Sequence, residues 1–284
     1  MPKMQRSTRK IKNRPIVTPL FGQTRVNKKY SYVYDKEQWT EDYMYYRIED
    51  IKELSNMESP YEFIKNLNIY LVRHGESEGN ILQSKVSDYA YEVKEEERLE
   101  DIKVRLTPKG EEQARNLGSK IKQMFESKEL DRNKTLVLVS PYERARKTFE
   151  LANMQAKFNE ESVFVLNDLR EMSYGAFDFI NHDKKMNDYK REYAEYNRNT
   201  LKYFKQQYLG ESPANVCDRC YSVLFFIKEY MQSHDIENVF VIAHGDANRC
   251  LAMDMINLPP EAFEYFKPQD NAKIIKIIHG KIQE

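Results

Sequence analysis

From Leu67 onward, short apolar runs alternate with segments whose apolar positions recur at helical spacing. The runs are Ile69 to Val72, Leu136 to Val139, Val163 to Leu166, Val239 to Ala243 and Ile274 to Ile278, each bounded by polar or turn residues. Continuous apolar runs of this length predict strands buried on both faces, as in a parallel sheet covered by helices. Between them, Gly110 to Phe125, Tyr142 to Met154, Pro213 to Met231 and Ala247 to Ile256 carry the spacing of amphipathic helices. Strands alternating with helices predict an α/β fold: three layers, α/β/α, around a mostly parallel central sheet. The polar, tyrosine-rich stretch His182 to Tyr208 reads as a helical cap inserted at about 180–210, between the third and fourth strands.

The segment before this pattern has a different character. Residues 1–30 carry nine Lys and Arg and no Asp or Glu, although the whole chain balances 45 basic against 45 acidic residues. Without periodic apolar positions such a segment cannot offset its ordering entropy, and it reads as a disordered basic tail. It lacks the apolar core of a secretory signal, while its Arg, Ser and Thr content leaves an organelle transit segment as the alternative. Residues 31–66 read as an aromatic-rich arm containing Trp39, Tyr43, Tyr45 and Tyr46, with a short helix expected at Ile48 to Leu54. Aromatics beside basic residues can stack nucleic-acid bases, but an arm lying over its own domain is the preferred reading. Pro60 marks the expected boundary, and 67–284 the folded domain.

Composition narrows the setting. With 40% hydrophobic residues and a mean hydropathy of −0.79, the chain does not read as a polytopic membrane protein, and no run approaches the roughly 18 apolar residues a spanning helix needs. Cys217, Cys220 and Cys250 are an odd, sparse set, which suggests free thiols in a reducing, cytoplasmic compartment. Cys217-x-x-Cys220 lies within a predicted helix and lacks a second pair, so no metal site is expected from it. His182 and His234 read as surface or cap residues, and Glu95-Glu96-Glu97 as a solvated acidic run at the rim of a pocket.

Glycine and histidine are scarce, nine and five residues, and their positions carry information. His74, His244 and His279 each follow an apolar run and precede Gly. In an open α/β sheet ligands bind beyond the carboxyl ends of the strands. His279 is set aside, because only four residues follow Gly280 and no helix can close a site over it. Around His74, the run Arg73-His74-Gly75-Glu76-Ser77-Glu78-Gly79-Asn80 sets a guanidinium and an imidazole beside residues able to open a helix, an arrangement suited to a phosphate. Ser140-Pro141-Tyr142-Glu143-Arg144-Ala145-Arg146-Lys147-Thr148 starts a helix that aims Arg144 or Arg146 at the same edge, and His244-Gly245-Asp246-Ala247-Asn248-Arg249 delivers a second imidazole.

Together these stretches resemble the histidine phosphatase superfamily, also called the phosphoglycerate-mutase-like family. The resemblance rests on Arg73-His74-Gly75, on Arg144 within Ser-Pro-x-x-Arg-Ala-x-x-Thr, on Leu169-Arg170-Glu171 followed by Gly175, and on His244-Gly245. Leu106-Thr107-Pro108-x-Gly110-x-x-Gln113 and Gly210-Glu211-Ser212 with Arg219 support it. It implies a phosphoglycerate-mutase-like fold with His74 as the nucleophile, Glu171 as general acid and base, Arg73, Arg144 and His244 as phosphate ligands, and Asn80 as an added phosphate or substrate contact. No metal or other cofactor is implied.

Three departures shape the expected activity. Phe179 stands where the family often has Gly, and Glu171-Met172-Ser173-Tyr174-Gly175 replaces the Glu-Arg-His-Tyr-Gly of cofactor-dependent phosphoglycerate mutases. The paired arginines of their insert are also missing; this insert offers Lys184-Lys185 and Lys190-Arg191. A mutase must hold both phosphate and carboxylate of a small acid, so the expectation is a phosphomonoester hydrolase acting on a small phosphorylated metabolite. The alternatives are a phosphoglycerate mutase and a non-catalytic binding protein that uses the basic arm. Asp246 lies two residues beyond His244 rather than beside it, which favours Glu171 as the acid over the His-Asp arrangement of acid phosphatases.

Overall fold

Alternate residues of the central strands divide between two apolar cores, one on each side of a six-stranded sheet. In the computed structural model of the 284-residue chain, residues 58–86, 100–175, 203, 206, 209–258, 262–263 and 269–283 are described. The tail at 1–30, the arm as far as residue 57 and Glu95-Glu96-Glu97 lie outside them, as does nearly all of the cap at 180–210 with His182, its lysines and Arg191.

The strands are β1 (Asn68–Arg73), β2 (Thr135–Val139), β3 (Val163–Val165), β4 (Asn238–Ala243), β5 (Ile274–Ile278) and β6 (Lys281–Gln283), in the spatial order β3-β2-β4-β1-β5-β6. The four from β3 to β1 run parallel, and β5 and β6 are antiparallel additions at one edge. Successive side chains of a strand point to opposite faces. Ile69 and Leu71 of β1, Leu136 and Leu138 of β2, and Val239 and Val241 of β4 meet helices α5 (Pro213–Ser233) and α6 (Gly245–Met255) through Val216, Cys220, Ile227 and Leu251. Tyr70, Val72, Val137, Val139, Phe240 and Ile242 meet α3 (Pro108–Glu126) and α4 (Glu143–Ala156) through Leu117, Ile121, Phe125 and Ala152. This is the expected three-layer α/β/α arrangement. Two short helices, α1 (Glu62–Lys65) and α2 (Glu78–Val86), precede α3. Among the described residues no helix is long and apolar enough to cross a membrane.

Two strands depart from burial on both faces. β3 closes the sheet at one edge, so Val163 and Phe164 are only partly covered and Val165 is 56% exposed. In β5 only Ile275 and Ile277 are fully buried, the alternation of a strand with one well-covered face. β6 holds a single apolar residue, Ile282, which leaves no run for the sequence to reveal. The core also reaches back before residue 67: Ile64 of α1 is buried in it, and the Ser59 amide donates to the Gly280 carbonyl at 2.8 Å.

The loop after β1 is shaped by contact with the start of α3. Thr107 caps α3, its hydroxyl oxygen accepting from the Gly110 amide at 3.0 Å, while its own amide donates to the Glu76 carbonyl at 2.9 Å. Gln113 reaches back so that its side-chain oxygen accepts from the Glu76 amide at 2.8 Å, and Lys109 pairs with the Glu76 carboxylate at 2.7 Å. The Leu106-to-Gln113 stretch is therefore a buttress for the loop that carries His74. A Cβ on Gly110 would lie 1.9 Å from the Glu76 carbonyl oxygen, and one on Gly75 would lie 2.4 Å from the Gly110 oxygen. Gly110→Ala is expected to destabilise the fold by about 1–3 kcal/mol, the usual range for overpacking, measurable as a lowered denaturant midpoint.

Candidate active site

The parallel strands β1, β2 and β4 end at one edge, and the ladder continues one residue past β1 and β2. The His74 amide donates to the Ala243 carbonyl at 3.0 Å, and the Ser140 amide to that of Ile242 at 3.0 Å. Arg73, His74, Ser140 and His244 are thereby brought together, with the His74 and His244 rings 5.2 Å apart. His279 has the same sequence signal but lies elsewhere. Because β5 runs antiparallel to β1, Ile278 pairs with Asn68 at the opposite edge of the sheet. There His279 and Gly280, with φ of 48° and 76°, form the turn of the β5–β6 hairpin, where left-handed residues match the strand twist.

His74 is 2% exposed and its two ring nitrogens have defined partners. Nδ1 lies 2.6 Å from the Gly75 carbonyl oxygen, which can only accept, so Nδ1 carries the proton. Nε2 accepts from Arg144 Nε at 3.3 Å. Both contacts fit a neutral ring with its lone pair on Nε2. Burial foremost, then the Arg144 and Arg73 guanidiniums, holds the His74 imidazole well below its ordinary value of 6.5. His244 is held low in the same way, by burial and then by Arg144 and His74. Its Nε2 shares a 2.7 Å hydrogen bond with Ser140 Oγ, Tyr142 packs edge-on at 5.2 Å, and its buried Nδ1 has no partner among the described residues.

Of the two arginines that open α4, Arg144 is the one turned into the site; Arg146 is exposed. Arg144 is buried and anchored through NH1, which donates to the Asp101 carbonyl at 2.6 Å and pairs with its carboxylate at 2.8 Å. Arg73 donates through NH1 to the Gln269 carbonyl, and its Nε is a buried donor with no partner among the described residues.

Glu171 arrives from the loop after β3 and meets the start of α6. Its Oε1 accepts from the Ala247 amide at 3.3 Å and its Oε2 from the Asp246 amide at 3.5 Å. Burial, with the neighbouring Asp246 charge as the second cause, pushes its carboxyl up to about 7 against the pull of Arg144 and Arg73. The stretch carrying it is held from behind. The Arg219 guanidinium of α5 donates to the carbonyls of Asp168, Arg170 and Glu171 at 2.6, 2.8 and 3.0 Å and pairs with Glu211 at 2.9 Å. Glu211 in turn accepts from the Ser173 amide at 3.0 Å. Glu211 and Arg219 thus form the frame on which Glu171 is mounted. Arg219→Ala leaves three carbonyls without this donor and Glu211 with Arg170, at 2.8 Å, as its only cationic partner among the described residues. We expect it to cost about 1–3 kcal/mol, the range for leaving buried acceptors unsatisfied, read in a chemical denaturation curve.

Asn80 lies at the site edge in a supporting role. Its Oδ1 accepts from the Ser77 amide at 3.1 Å and from Asn271 Nδ2 at 3.0 Å, and Asn271 also donates to the His74 carbonyl at 3.1 Å. All six predicted site residues therefore gather at one sheet edge. Four others were not read from the sequence: Asp101, which engages Arg144; Gln269, which contacts Arg73 and Asn248; Asn271; and Tyr174, whose hydroxyl donates to Asp246 Oδ2 at 2.7 Å. Their signals are single polar residues in loops, with no periodicity to mark them.

Cys217 and Cys220 lie buried on α5 and Cys250 on α6, all as free thiols. Among the described residues no three His, Cys, Asp or Glu side chains come together in a set able to hold a metal ion.

The model of the histidine phosphatase superfamily (branch 1) matches residues 69–282. Phosphoglycerate mutase-like protein AT74 of Arabidopsis thaliana is 28% identical over 228 residues, 76% of this chain and 66% of its own length. Its relative AT74H, also from Arabidopsis thaliana, is 29% identical over 195 residues, 64% of this chain and 63% of its own length. The chain thus spans just under two thirds of the length of these curated relatives. Among solved structures, the alpha-ribazole phosphatase from Shigella flexneri superposes with a TM-score of 0.55 at 23% identity, over 74% of this chain and 90% of that one. A mycobacterial glucosyl-3-phosphoglycerate phosphatase superposes with a TM-score of 0.56 at 16% identity, over 76% and 95%. The likeness of fold and the family match over most of the chain agree with the gathered residues, and the chain belongs to the histidine phosphatase superfamily.

Proposed function

We propose that this protein is a phosphomonoester hydrolase that works through a phosphohistidine on His74. The observation that carries this reading is the neutral imidazole of His74, whose Nε2 lone pair faces Arg144 beside a second buried imidazole. In the first step that lone pair forms the N–P bond as the bond from phosphorus to the leaving oxygen breaks, and the Glu171 proton passes to that oxygen. In the second step water attacks phosphorus and gives a proton to Glu171, and the N–P electron pair returns to Nε2. Phosphoryl transfer asks chiefly for positioning and charge complementarity. The Arg73 Nε, Arg144 and His244 Nδ1 supply donors for the phosphoryl oxygens, and a carboxyl poised near 7 can act in both directions.

Hydrolysis rather than phosphoryl return is favoured by Met172 and Ser173, which place no cation beside Glu171 to hold the carboxylate of a phosphoglycerate. The substrate we infer is a small phosphorylated metabolite. The test is incubation with 3-phosphoglycerate, with and without 2,3-bisphosphoglycerate, beside a panel of sugar phosphates, nucleotides and phosphopeptides. Inorganic phosphate released from some member of the panel, without 2-phosphoglycerate, is the expected result. Formation of 2-phosphoglycerate would replace the hydrolase by a mutase.

A further inference from the structure

Two carboxylates share the start of α6. Glu171 accepts the backbone N–H groups of Asp246 and Ala247, while the Asp246 side chain turns back and is held on both of its oxygens. Its Oδ2 accepts from the Tyr174 hydroxyl at 2.7 Å, and its Oδ1 pairs with Arg249 at 2.5 Å. Arg249 is itself seated, 3.5 Å above the centre of the Phe263 ring. Tyr174 belongs to the same loop as Glu171, three residues further on. Its bond to Asp246 therefore ties the loop bearing Glu171 to the helix whose first amides Glu171 touches.

We propose that Asp246 is a positioning residue: held by Tyr174 and Arg249, its carboxylate fixes the Glu171 carboxyl at the start of α6 and keeps it in the proton-bearing form. This rests on the reading of Glu171 as the proton donor. The charges around Glu171 come from every side. Arg73 at the end of β1, Arg144 at the start of α4 and Arg219 of α5 favour its ionised form, as do the Met172 amide, which donates to its Oε1 at 3.0 Å, and the two α6 amides. Tyr142, Tyr174 and Cys220 face it as neutral groups. Among the described residues, Asp246 is the anion that acts with burial against the cations. Removing its charge leaves burial alone to act against those cations.

The test is a pH titration of the Glu171 carboxyl carbon by NMR in the full-length chain labelled with 13C-glutamate, the resonance being assigned by its loss in Glu171→Gln. In Asp246→Asn the midpoint should fall by at least about half a pH unit, where a full unit is a tenfold change in proton affinity. In Tyr174→Phe the Asp246 charge loses a hydrogen bond that spreads it, and the midpoint should rise. This second variant carries the test should Asp246→Asn fail to fold. A Glu171 midpoint unmoved in a folded variant overturns the proposal. The basic limb of kcat/KM, measured with phenyl phosphate, should follow the NMR midpoint. A midpoint that moves while the rate limb stays in place supports the hold of Asp246 on Glu171 and overturns instead the reading of Glu171 as proton donor.

Discussion

Replacing His74 with alanine should lower phosphate release by at least about 10³-fold on every substrate the protein accepts, since the step that splits one difficult displacement into two disappears with the nucleophile. The loss should appear in kcat, with folding retained, because the side chain contributes one contact to Gly75 and one to Arg144 and the loop is otherwise held by the Thr107 and Gln113 buttress. A variant that keeps most of its turnover would remove the covalent step from the account. His244→Ala, in contrast, removes a donor from the cradle and leaves the attacking nitrogen, so its loss should be the smaller of the two.

Glu171→Gln is expected to show the second largest effect, and the leaving group should determine its size. An alkoxide cannot depart without a proton, so turnover of an alkyl phosphate should fall by roughly 10²–10⁴-fold, the usual range for losing a general acid and base. Nitrophenolate leaves without help. With p-nitrophenyl phosphate the variant should therefore release about one equivalent of nitrophenolate quickly and then turn over slowly, because water now lacks its base. The pH profile gives an independent reading. Glu171 must hold its proton for the first step, and with its carboxyl at about 7 the wild-type kcat/KM should be high below that pH and decline above it. His74 must be unprotonated and is held well below 6.5, so the acid side of the profile should stay flat through pH 6.5. In Glu171→Gln the basic limb should vanish. A basic limb unchanged in that variant would assign the proton to another group.

The parts of this molecule that were legible in the sequence are those with a repeating physical cause. A strand buried on both faces is a continuous apolar run, so β1, β2 and β4 could be read within a residue or so of their observed ends. The candidate active edge followed, because Arg73, His74 and His244 sit directly at or beyond the ends of such runs. The same logic gave the wrong impression of β3 and β5. An apolar run does not report whether its strand lies at the edge or the centre of a sheet, and β3 is only partly covered because, among the described residues, it has no strand on its outer side. Strand direction is also hidden. His279 ends an apolar run before a glycine as His74 does, yet the antiparallel course of β5 carries it to the far edge.

The supporting residues were harder to read for a different reason. Arg219 and Glu211 lie eight residues apart and act on a loop some forty to fifty residues earlier, a relation that no local spacing encodes. Asp101 reaches the site from the segment before α3, and Gln269 and Asn271 from the one loop that precedes β5, each as a single polar side chain. In the sequence Asp246 shows only that it is not adjacent to His244. Its tie to Tyr174 spans 72 positions and exists only once α6 and the Glu171 loop have packed.

The central claim is a covalent one, and trapping it is the direct measurement. Full-length protein mixed with 32P-labelled substrate, quenched with alkali within milliseconds and digested, should yield one labelled peptide carrying phosphohistidine at position 74, stable to base and lost on mild acid treatment. Label on another residue, or rapid turnover with no label retained at any quench time, would contradict the account.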